Sequence, residues 1–396
     1  MSSAVSPGMD SDIFEQFIEQ LQRYVRERLI PAEQEIIEKD EISSDIVAEM
    51  RDMGLFGLTT PEEFGGAGMK VSQYARTIYT LSHAMPAFRS LITINTGMFC
   101  AAIKNGGTSA QKAEWLPRIA AGDIASFGLT EPGSGSDSAG LQTLATKTDG
   151  GWILNGTKRY ITNSPSARVA LIMARTSKEN LPKNAHVSAF IVPMDTRGVS
   201  VGKSDKKMGQ AGSHIADIIL EDVHLADDAL LGAELGKGFA YAMMSLDTGR
   251  ISVGSAATGY ARRALESAVR YATERKAFGE PIANFQLIQQ MLADSEIEIY
   301  AAEAMMSDVT RRADAGENVL RKAAAFKVFA SEMCGRVVDR VVQIYGGAGY
   351  LAEYDAERFF RDARLYRIYE GTTQILQLQI AKHMLREFAA SEGRYR

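Results

Sequence analysis

The sequence predicts an α+β fold in which two helical domains flank a middle antiparallel β domain. The first observation is a helical periodicity from Asp10 to about Gly122. The second is a change to short β-runs from about Ile124 to Leu231, and the third is a return to long helical stretches from Gly236 onward. We place the three domains at residues 1–123, 124–235 and 236–396.

The N-terminal zone has apolar residues spaced three and four positions apart, which is the spacing of one helix face. They include Phe14, Phe17, Ile18, Leu21 and Val25 in a first helix and Ile46, Val47, Met50 and Met53 in a second. Pro31 opens or interrupts a helix, because proline has no N–H to donate. A turn at Pro61–Gly68 separates this pair from later helices.

The middle zone contains short apolar runs bounded by Gly, Asn, Pro and Asp. The runs are Trp152–Leu154, Val169–Met173, Ala189–Val192 and Ile215–Leu220. This spacing predicts an antiparallel barrel or sandwich. We expect Asn155-Gly156 to form a hairpin turn, since that dipeptide favours the two-residue loops between antiparallel strands.

The C-terminal zone consists of long stretches with apolar residues on several sides. They run over Gly254–Lys276, Ala283–Ala315 and Leu320–Ile344. Helices of this kind pack in a bundle, and we expect part of their surface to meet another subunit.

Composition excludes several classes of function. The net charge is −5 with no basic stripe, so nucleic acid is not an expected partner. No apolar run approaches the roughly 20 residues of a membrane span, and Met1–Pro7 lacks the pattern of a secretory signal. Cys100 and Cys334 are far apart and predict buried thiols of a reducing, cytoplasmic compartment. The five histidines have no ligand spacing, so we expect no metal site.

The segment Arg364–Gln374 is the most informative candidate site. Glu370 has Leu365, Ile368 and Tyr369 close by, which predicts a partly desolvated carboxylate. Desolvation raises the pKa of a carboxyl and makes it a better base near neutral pH. Gly371 leaves room for a ligand or flat ring next to that base. Taken singly, Glu370 is equally consistent with a solvated residue before a helix.

Two further segments have features of a cofactor site. The loop in Phe127–Asp137 offers backbone N–H groups and hydroxyls to an anion, but it lacks the third glycine of a Rossmann fingerprint. After Asn155-Gly156, a strand would present Tyr160 and Thr162 on one face, which suits a flat heterocycle. A plain loop and a surface strand are the alternatives.

Three helix ends complete the set of motifs. Asp247 and Arg250 are three residues apart and share a helix face, as a surface ion pair also would. Glu274–Gly279 ends a helix with basic charge and glycine, and Gln343–Tyr350 ends another with closely spaced glycines.

In this order and spacing, the motifs resemble those of the acyl-CoA dehydrogenase family over roughly Ile13 to Glu387. The resemblance implies an N-terminal helical domain, a middle antiparallel β-barrel domain and a C-terminal four-helix-bundle domain. It also implies FAD as cofactor, an acyl-CoA thioester as substrate and a homotetramer. The activity implied is dehydrogenation of a short- or medium-chain acyl-CoA to the trans-2-enoyl-CoA, with electrons passed to an electron-transferring flavoprotein.

The resemblance assigns most of the motif residues to FAD. Those expected near the flavin are Phe127, Leu129, Thr130, Ser136, Tyr160, Ile161 and Thr162. Those expected at the pyrophosphate and adenosine, partly from a neighbouring subunit, are Arg275, Phe278, Gln286, Gln343, Gly346 and Gly347. Thr372 and Gln374 are similar to further FAD contacts, and Tyr160 stands where many relatives carry tryptophan.

The base and the substrate contacts follow from the same resemblance. Glu370 matches the base of most members, whereas a branched-chain subgroup uses a glutamate just before the residue matching Arg250, where this chain has Gly249. Asp247 and Arg250 are similar to the CoA-binding pair. Ser136, Tyr369 and Gly371 are placed beside the acyl-CoA.

Because of Arg89, two classes of acyl group are compatible with the sequence. Arg89 lies on a mostly apolar helix and resembles the arginine with which glutaryl-CoA dehydrogenases hold a distal carboxylate. A buried arginine needs an anionic partner, either on the substrate or on the protein. The alternative substrate is therefore glutaryl-CoA or another dicarboxylyl-CoA.

Two rival functions remain. An acyl-CoA oxidase typically carries an extra C-terminal domain that 396 residues cannot hold. A catalytically silent acyl-CoA binder would not need Glu370 or the FAD motifs, and it would purify without the yellow colour of a flavin.

Overall fold

The computed structural model describes residues 6–390. It has the three parts that the periodicity predicts, with helical N- and C-terminal regions around a curled central sheet. The predicted fold class is confirmed. Among residues 6–390, no helix combines the length and the hydropathy that a bilayer crossing requires.

From residue 6 onward, the N-terminal region contains seven α-helices. They are α1 Ser11–Tyr24, α2 Ile30–Lys39, α3 Ser44–Asp52, α4 Val71–Leu81, α5 Pro86–Thr93, α6 Cys100–Gly106 and α7 Ser109–Ala120. Pro31 lies in the first turn of α2, where a missing N–H costs nothing. One π-helical turn joins α1 to α2 and another, at Ile94–Phe99, joins α5 to α6.

The middle region is a seven-stranded sheet. Its strands are β1 Ala125–Gly128, β2 Leu144–Thr148, β3 Gly151–Thr162, β4 Val169–Arg175, β5 Val187–Pro193, β6 Val199–Val201 and β7 Ile215–Leu225. The order is β1-β4-β2-β3-β7-β6, and β5 pairs with β4. Most pairs are antiparallel, as predicted, but β4 runs parallel both to β1, in the register Ala125–Val169, and to β2 at Leu144–Arg175.

The prediction of a hairpin turn at Asn155-Gly156 is wrong. Both residues lie inside β3, at a register shift against β7, and the turn between β2 and β3 is Asp149-Gly150. Gly156 has φ +151°, and a Cβ there would lie 2.5 Å from the Thr143 hydroxyl, so the position needs glycine for a bulge. The Asn155 side chain exchanges two hydrogen bonds with Asp222 across the bulge.

The C-terminal region is a helical bundle. Its elements are α8 Gly238–Glu274, the short strands β8 Lys276–Ala277 and β9 Glu280–Pro281, α9 Gln286–Asp314, α10 Leu320–Tyr345, α11 Asp355–Ala363 and α12 Thr373–Ala390. Helix α10 packs against α8, α9 and α12. Helix α8 begins at Gly238, 16 residues before the predicted Gly254.

The N- and C-terminal regions share one apolar core, which includes Phe88 of α5, Tyr260 of α8 and Phe326 of α10. A buried ionic cluster crosses the same boundary. Glu33 of α2 accepts from Arg263 of α8 at 2.7 Å and from Arg358 of α11 at 2.8 Å. The two arginines hold the pKa of Glu33 below its usual value against the opposing effect of burial. This packing fixes α5, α8 and α10 relative to one another, and all three border the candidate site.

Candidate active site

The loop before α12 holds Glu370 in an uncommon backbone conformation. Glu370 has φ +53° and Gly371 has φ +98°, so two successive residues lie in the left-handed region. A non-glycine residue there persists only when its surroundings fix it. Helix α10 supplies two of the contacts that fix it, since Lys327 Nζ donates to the Gly371 carbonyl at 2.8 Å and Glu332 accepts from Thr373 Oγ1 at 2.7 Å.

The Glu370 carboxylate is desolvated, as the sequence predicts. Its Oε2 is enclosed and accepts no hydrogen bond from a described residue. Burial raises the pKa of Glu370, and the nearby cations Arg89, Lys327 and Arg250 oppose that rise. A carboxyl in this environment keeps its proton to higher pH and is a stronger base when it is ionised.

Gly249 of α8 lies directly against this carboxylate. A Cβ built at Gly249 would lie 1.9 Å from Glu370 Oε2. The two positions that the resemblance names for a base therefore meet at one place in this fold. Glycine at position 249 is what leaves space for the Glu370 side chain.

A cavity of about 140 Å³ adjoins Glu370 between α5, the sheet and α8. Its lining includes nine of the predicted site residues. They are Arg89, Phe127, Leu129, Thr130, Tyr160, Ile161, Thr162, Tyr369 and Glu370. Residues that are up to 281 positions apart in the sequence thus converge beside one carboxylate.

The end of β3 shapes one wall of the cavity. Tyr160 has φ +58° and lies at a register shift between Lys158 and Ile161. This irregularity breaks the alternation of faces, so Tyr160, Ile161 and Thr162 all reach the cavity rather than only the first and third. Tyr160 is 56% exposed, which leaves its ring open to a bound molecule.

Arg89 is buried beside the base, only 2% exposed. Its three side-chain hydrogen bonds to described residues all go to hydroxyls, those of Ser90 and Thr93 at 3.4 Å and that of Tyr369. Its Nε lacks a partner among those residues. The guanidinium also lies 5.5 Å from the centre of the Tyr369 ring. The hydrogen-bond partners of this cation are thus neutral, and Glu370, whose charge also acts on Arg89, is the one carboxylate in the cavity lining.

Asp247 and Arg250 form an ion pair of 2.6 Å on one face of α8, as their spacing predicts. The pair is largely buried, and burial raises the pKa of Asp247 to about 6 while Arg250 opposes the rise. Neither residue lines the cavity, although their neighbour Leu246 does. Their role toward CoA stays a prediction.

The remaining predicted site residues lie away from the cavity. Gly371 and Thr372 are half-buried in the Glu370 loop. Those at the surface of the described chain are Ser136, Arg275, Phe278, Gln286, Gln343, Gly346, Gly347 and Gln374. The structure does not bring this second group together with Glu370, and their assignment to FAD and substrate stays a prediction.

Several residues near the base were missed by sequence reasoning. The cavity lining also contains Ser90, Thr93, Ile94, Met98 and Leu246. Thr93 follows Arg89 at the helix spacing i+4, which was an available signal. Lys327 carried another signal, because it is a lone charge within an otherwise apolar stretch of the sequence.

The site has a group suited to proton transfer. A desolvated carboxylate faces a cavity wall of apolar side chains and threonine hydroxyls, where a β domain meets two helical regions. Such a carboxylate can take a proton from a molecule bound in the cavity.

Three family models match the chain in the order of these regions. They are the acyl-CoA dehydrogenase N-terminal domain at residues 11–123, the middle domain at 126–223 and the C-terminal domain at 236–385. The chain belongs to the acyl-CoA dehydrogenase family.

The human mitochondrial short-chain specific acyl-CoA dehydrogenase is 37% identical over 366 residues, which cover 92% of this chain and 88% of the relative. A structure described as the electron-transferring flavoprotein of Acidaminococcus fermentans contains a similar chain. It is 34% identical, with a TM-score of 0.91 over 96% of this chain and 99% of that one. A glutaryl-CoA dehydrogenase from Mycobacterium smegmatis in complex with FADH2 is 29% identical, with a TM-score of 0.88 over 95% of each chain.

Proposed function

We propose that this chain catalyses the FAD-dependent α,β-dehydrogenation of a short-chain acyl-CoA thioester to the trans-2-enoyl-CoA. The desolvated carboxylate of Glu370 at the cavity carries this proposal. The cavity wall of Phe127, Leu129, Thr130 and Tyr160 fits FAD, because apolar side chains, a hydroxyl and an open aromatic ring suit a flat ring with polar edges.

In the proposed reaction, Glu370 removes the α-proton of the thioester as the β-hydrogen leaves as hydride. FAD, when bound, supplies the acceptor for that hydride. The thioester carbonyl must be polarised for its α-proton to become acidic enough, and the resemblance assigns this to the Glu370 N–H as one donor. Tyr369 and Arg89 border the acyl group, and burial of the site excludes water from the developing enolate.

A relative supports a short acyl group. The human enzyme that is 37% identical to this chain is named as short-chain specific.

A second candidate substrate is a dicarboxylyl-CoA such as glutaryl-CoA. Arg89 favours it, because its hydrogen bonds to described residues go to neutral hydroxyls rather than to a carboxylate. A substrate carboxylate would complete the pairing of this buried cation. The similarity to a glutaryl-CoA dehydrogenase supports this candidate.

Anaerobic titration with a panel of CoA esters tests the proposal. The purified protein is expected to be yellow, and butyryl-CoA is expected to bleach the flavin absorbance within one turnover. Glutaryl-CoA in the same panel tests the second candidate. Protein that neither holds FAD nor takes it up on reconstitution would contradict the proposal and favour a silent acyl-CoA binder.

The reduced enzyme must pass its two electrons to an acceptor, and we propose an electron-transferring flavoprotein. The similarity to a chain from a structure of that description supports this partner. Mixing the bleached enzyme with that flavoprotein should restore the yellow colour far faster than air does. Faster reoxidation by oxygen would instead indicate an oxidase. We also propose that the protein is cytoplasmic.

We further propose that FAD is held across a subunit boundary of a homotetramer, with Arg275, Phe278 and Gln286 reaching a neighbour. Phe278 supports this, since it is 98% exposed near the β8–β9 hairpin. Helix α9 also exposes large apolar side chains, among them Ile297 at 65% and Tyr300 at 70%. Such a surface is typical of an interface.

Disrupting this apolar face of α9 is expected to release FAD. Ile297→Glu with Tyr300→Glu should give a smaller oligomer by light scattering and a lower ratio of flavin to protein absorbance. The matched control is Ile13→Glu on α1, which is 56% exposed in the N-terminal region and should change neither quantity. A stable monomer that holds FAD tightly would refute the shared site.

A further inference from the structure

Lys327 is a buried lysine that the proposed mechanism does not use. It lies in α10, its side chain is fully enclosed, and its Nζ donates to the Gly371 carbonyl at 2.8 Å. A buried ammonium is costly unless partner groups replace its lost hydration, and lysine is almost never fully buried without such a partner. Here the described hydrogen-bond partner is a backbone carbonyl next to the base, not a carboxylate.

We propose that Lys327 is a positioning residue for Glu370, which holds the Glu370–Gly371 backbone in its left-handed conformation and keeps the carboxylate ionised through its charge. This inference rests on the proposed role of Glu370 as the base. It assigns Lys327 two effects, one through the hydrogen bond and one through the positive charge.

The first effect follows from the loop geometry. Glu370 and Gly371 have φ +53° and +98°, so the loop needs external contacts to stay in place. Lys327 provides one at Gly371. In this conformation the carboxylate lies against α8, in the space that the missing side chain of Gly249 leaves open. A small rotation of the loop would drive Oε2 into the α8 backbone or away from the cavity.

The second effect follows from the charges around Glu370. Three cations face it, namely Arg89 from α5, Arg250 from α8 and Lys327 from α10. Arg250 already forms an ion pair with Asp247 at 2.6 Å. Arg89 donates to hydroxyls and lies beside tyrosine rings. The phenols of Tyr74 and Tyr369 also face the carboxylate, and both are neutral near pH 7, since a phenol has a pKa of about 10 and burial raises the pKa of these two further.

Lys327 and Glu370 support each other's charged forms. Burial lowers the pKa of Lys327 to about 8, and Glu370 opposes that fall together with Glu332, while Arg250 adds to it. The ammonium is therefore the main form at neutral pH. Since a nearby positive charge favours the ionised form of a carboxyl, removing the charge of Lys327 should raise the pKa of Glu370.

The test compares variants that separate the two effects. Lys327→Arg keeps the charge, Lys327→Gln keeps a hydrogen-bond donor without charge, and Lys327→Met removes both. Flavin reduction by the best acyl-CoA is measured against pH in each, with the melting temperature and the FAD content recorded in parallel. A second measurement, without substrate, titrates the infrared carboxyl band that Glu370→Gln lacks.

Lys327→Gln is expected to move the rising limb of the pH profile, and the midpoint of the infrared band, upward by about one unit or more. At pH values below the shifted limb, the rate of flavin reduction should fall about tenfold, and it should recover at higher pH. Lys327→Met should show the same shift with a lower plateau, whereas Lys327→Arg should leave the limb in place.

An unmoved limb and an unmoved infrared band in both neutral variants would overturn the inference. So would neutral variants that fail to fold while Lys327→Arg folds with wild-type behaviour, since Lys327 would then serve stability alone. These outcomes are distinct from failure of the proposed function, in which Glu370→Gln itself would still reduce its flavin.

Discussion

Glu370→Gln is expected to slow flavin reduction by the best acyl-CoA by at least about 10²-fold, because a general base contributes roughly 10²–10⁴ to the rate. The amide has the shape of the carboxylate and lacks its basicity. It fits the same space beside Gly249, so the loop should keep its conformation. FAD should stay bound, since the residues proposed to hold it are other than Glu370.

The measurement is single-turnover reduction under anaerobic conditions, with the ratio of FAD to protein as a check on cofactor loss. Glu353→Gln is a matched control, because it makes the same change at an exposed position of the same region. Unchanged reduction in Glu370→Gln would show that another group takes the proton.

The same substitution is expected to raise stability at neutral pH. Burial makes the folded-state pKa of Glu370 higher than its unfolded value. The unfolded chain therefore releases this proton first, and stability is lost as pH rises from the unfolded pKa through the folded one. Glutamine cannot ionise, so the variant should melt above the wild type at pH 7 and close to it in acid.

Arg89→Met is expected to remove activity on a dicarboxylyl-CoA while sparing a monocarboxylyl one. If the guanidinium pairs with a distal carboxylate, its loss strands a buried charge at a cost of about 3–5 kcal/mol. This equals a fall of about 10²- to 4 × 10³-fold in kcat/KM for glutaryl-CoA, since each 1.4 kcal/mol is tenfold. Methionine fills similar space without charge and should admit an apolar acyl chain equally well or better.

The comparison is kcat/KM for glutaryl-CoA and butyryl-CoA in the wild type and the variant. Thr93→Val is the control, because it removes one hydroxyl that Arg89 contacts and keeps the cation. If the wild type prefers butyryl-CoA and Arg89→Met only lowers the melting temperature, the arginine is structural and the substrate is a plain short-chain ester.

Much of the site was predictable because its motifs are local. The desolvated setting of Glu370 follows from its apolar neighbours, and the Asp247–Arg250 pair follows from a spacing of three on a helix. A local rule also produced the wrong turn. Asn155-Gly156 has the composition of a hairpin turn, yet the chain continues as a strand. It pairs with β7 through a bulge at this point, and Asp222 forms hydrogen bonds with the Asn155 side chain.

The sequence by itself determined the order of helical and β regions and the motifs that converge on Glu370, because periodicity and turn chemistry depend on near neighbours. Only the tertiary structure decided what surrounds that carboxylate. Gly249, Lys327 and Arg89 come from three helices that are distant in the sequence, and packing alone brings them to one carboxylate. The contacts of these three residues with the carboxylate, and the space left by a missing Cβ, are properties of that packing, which no local pattern of residues specifies.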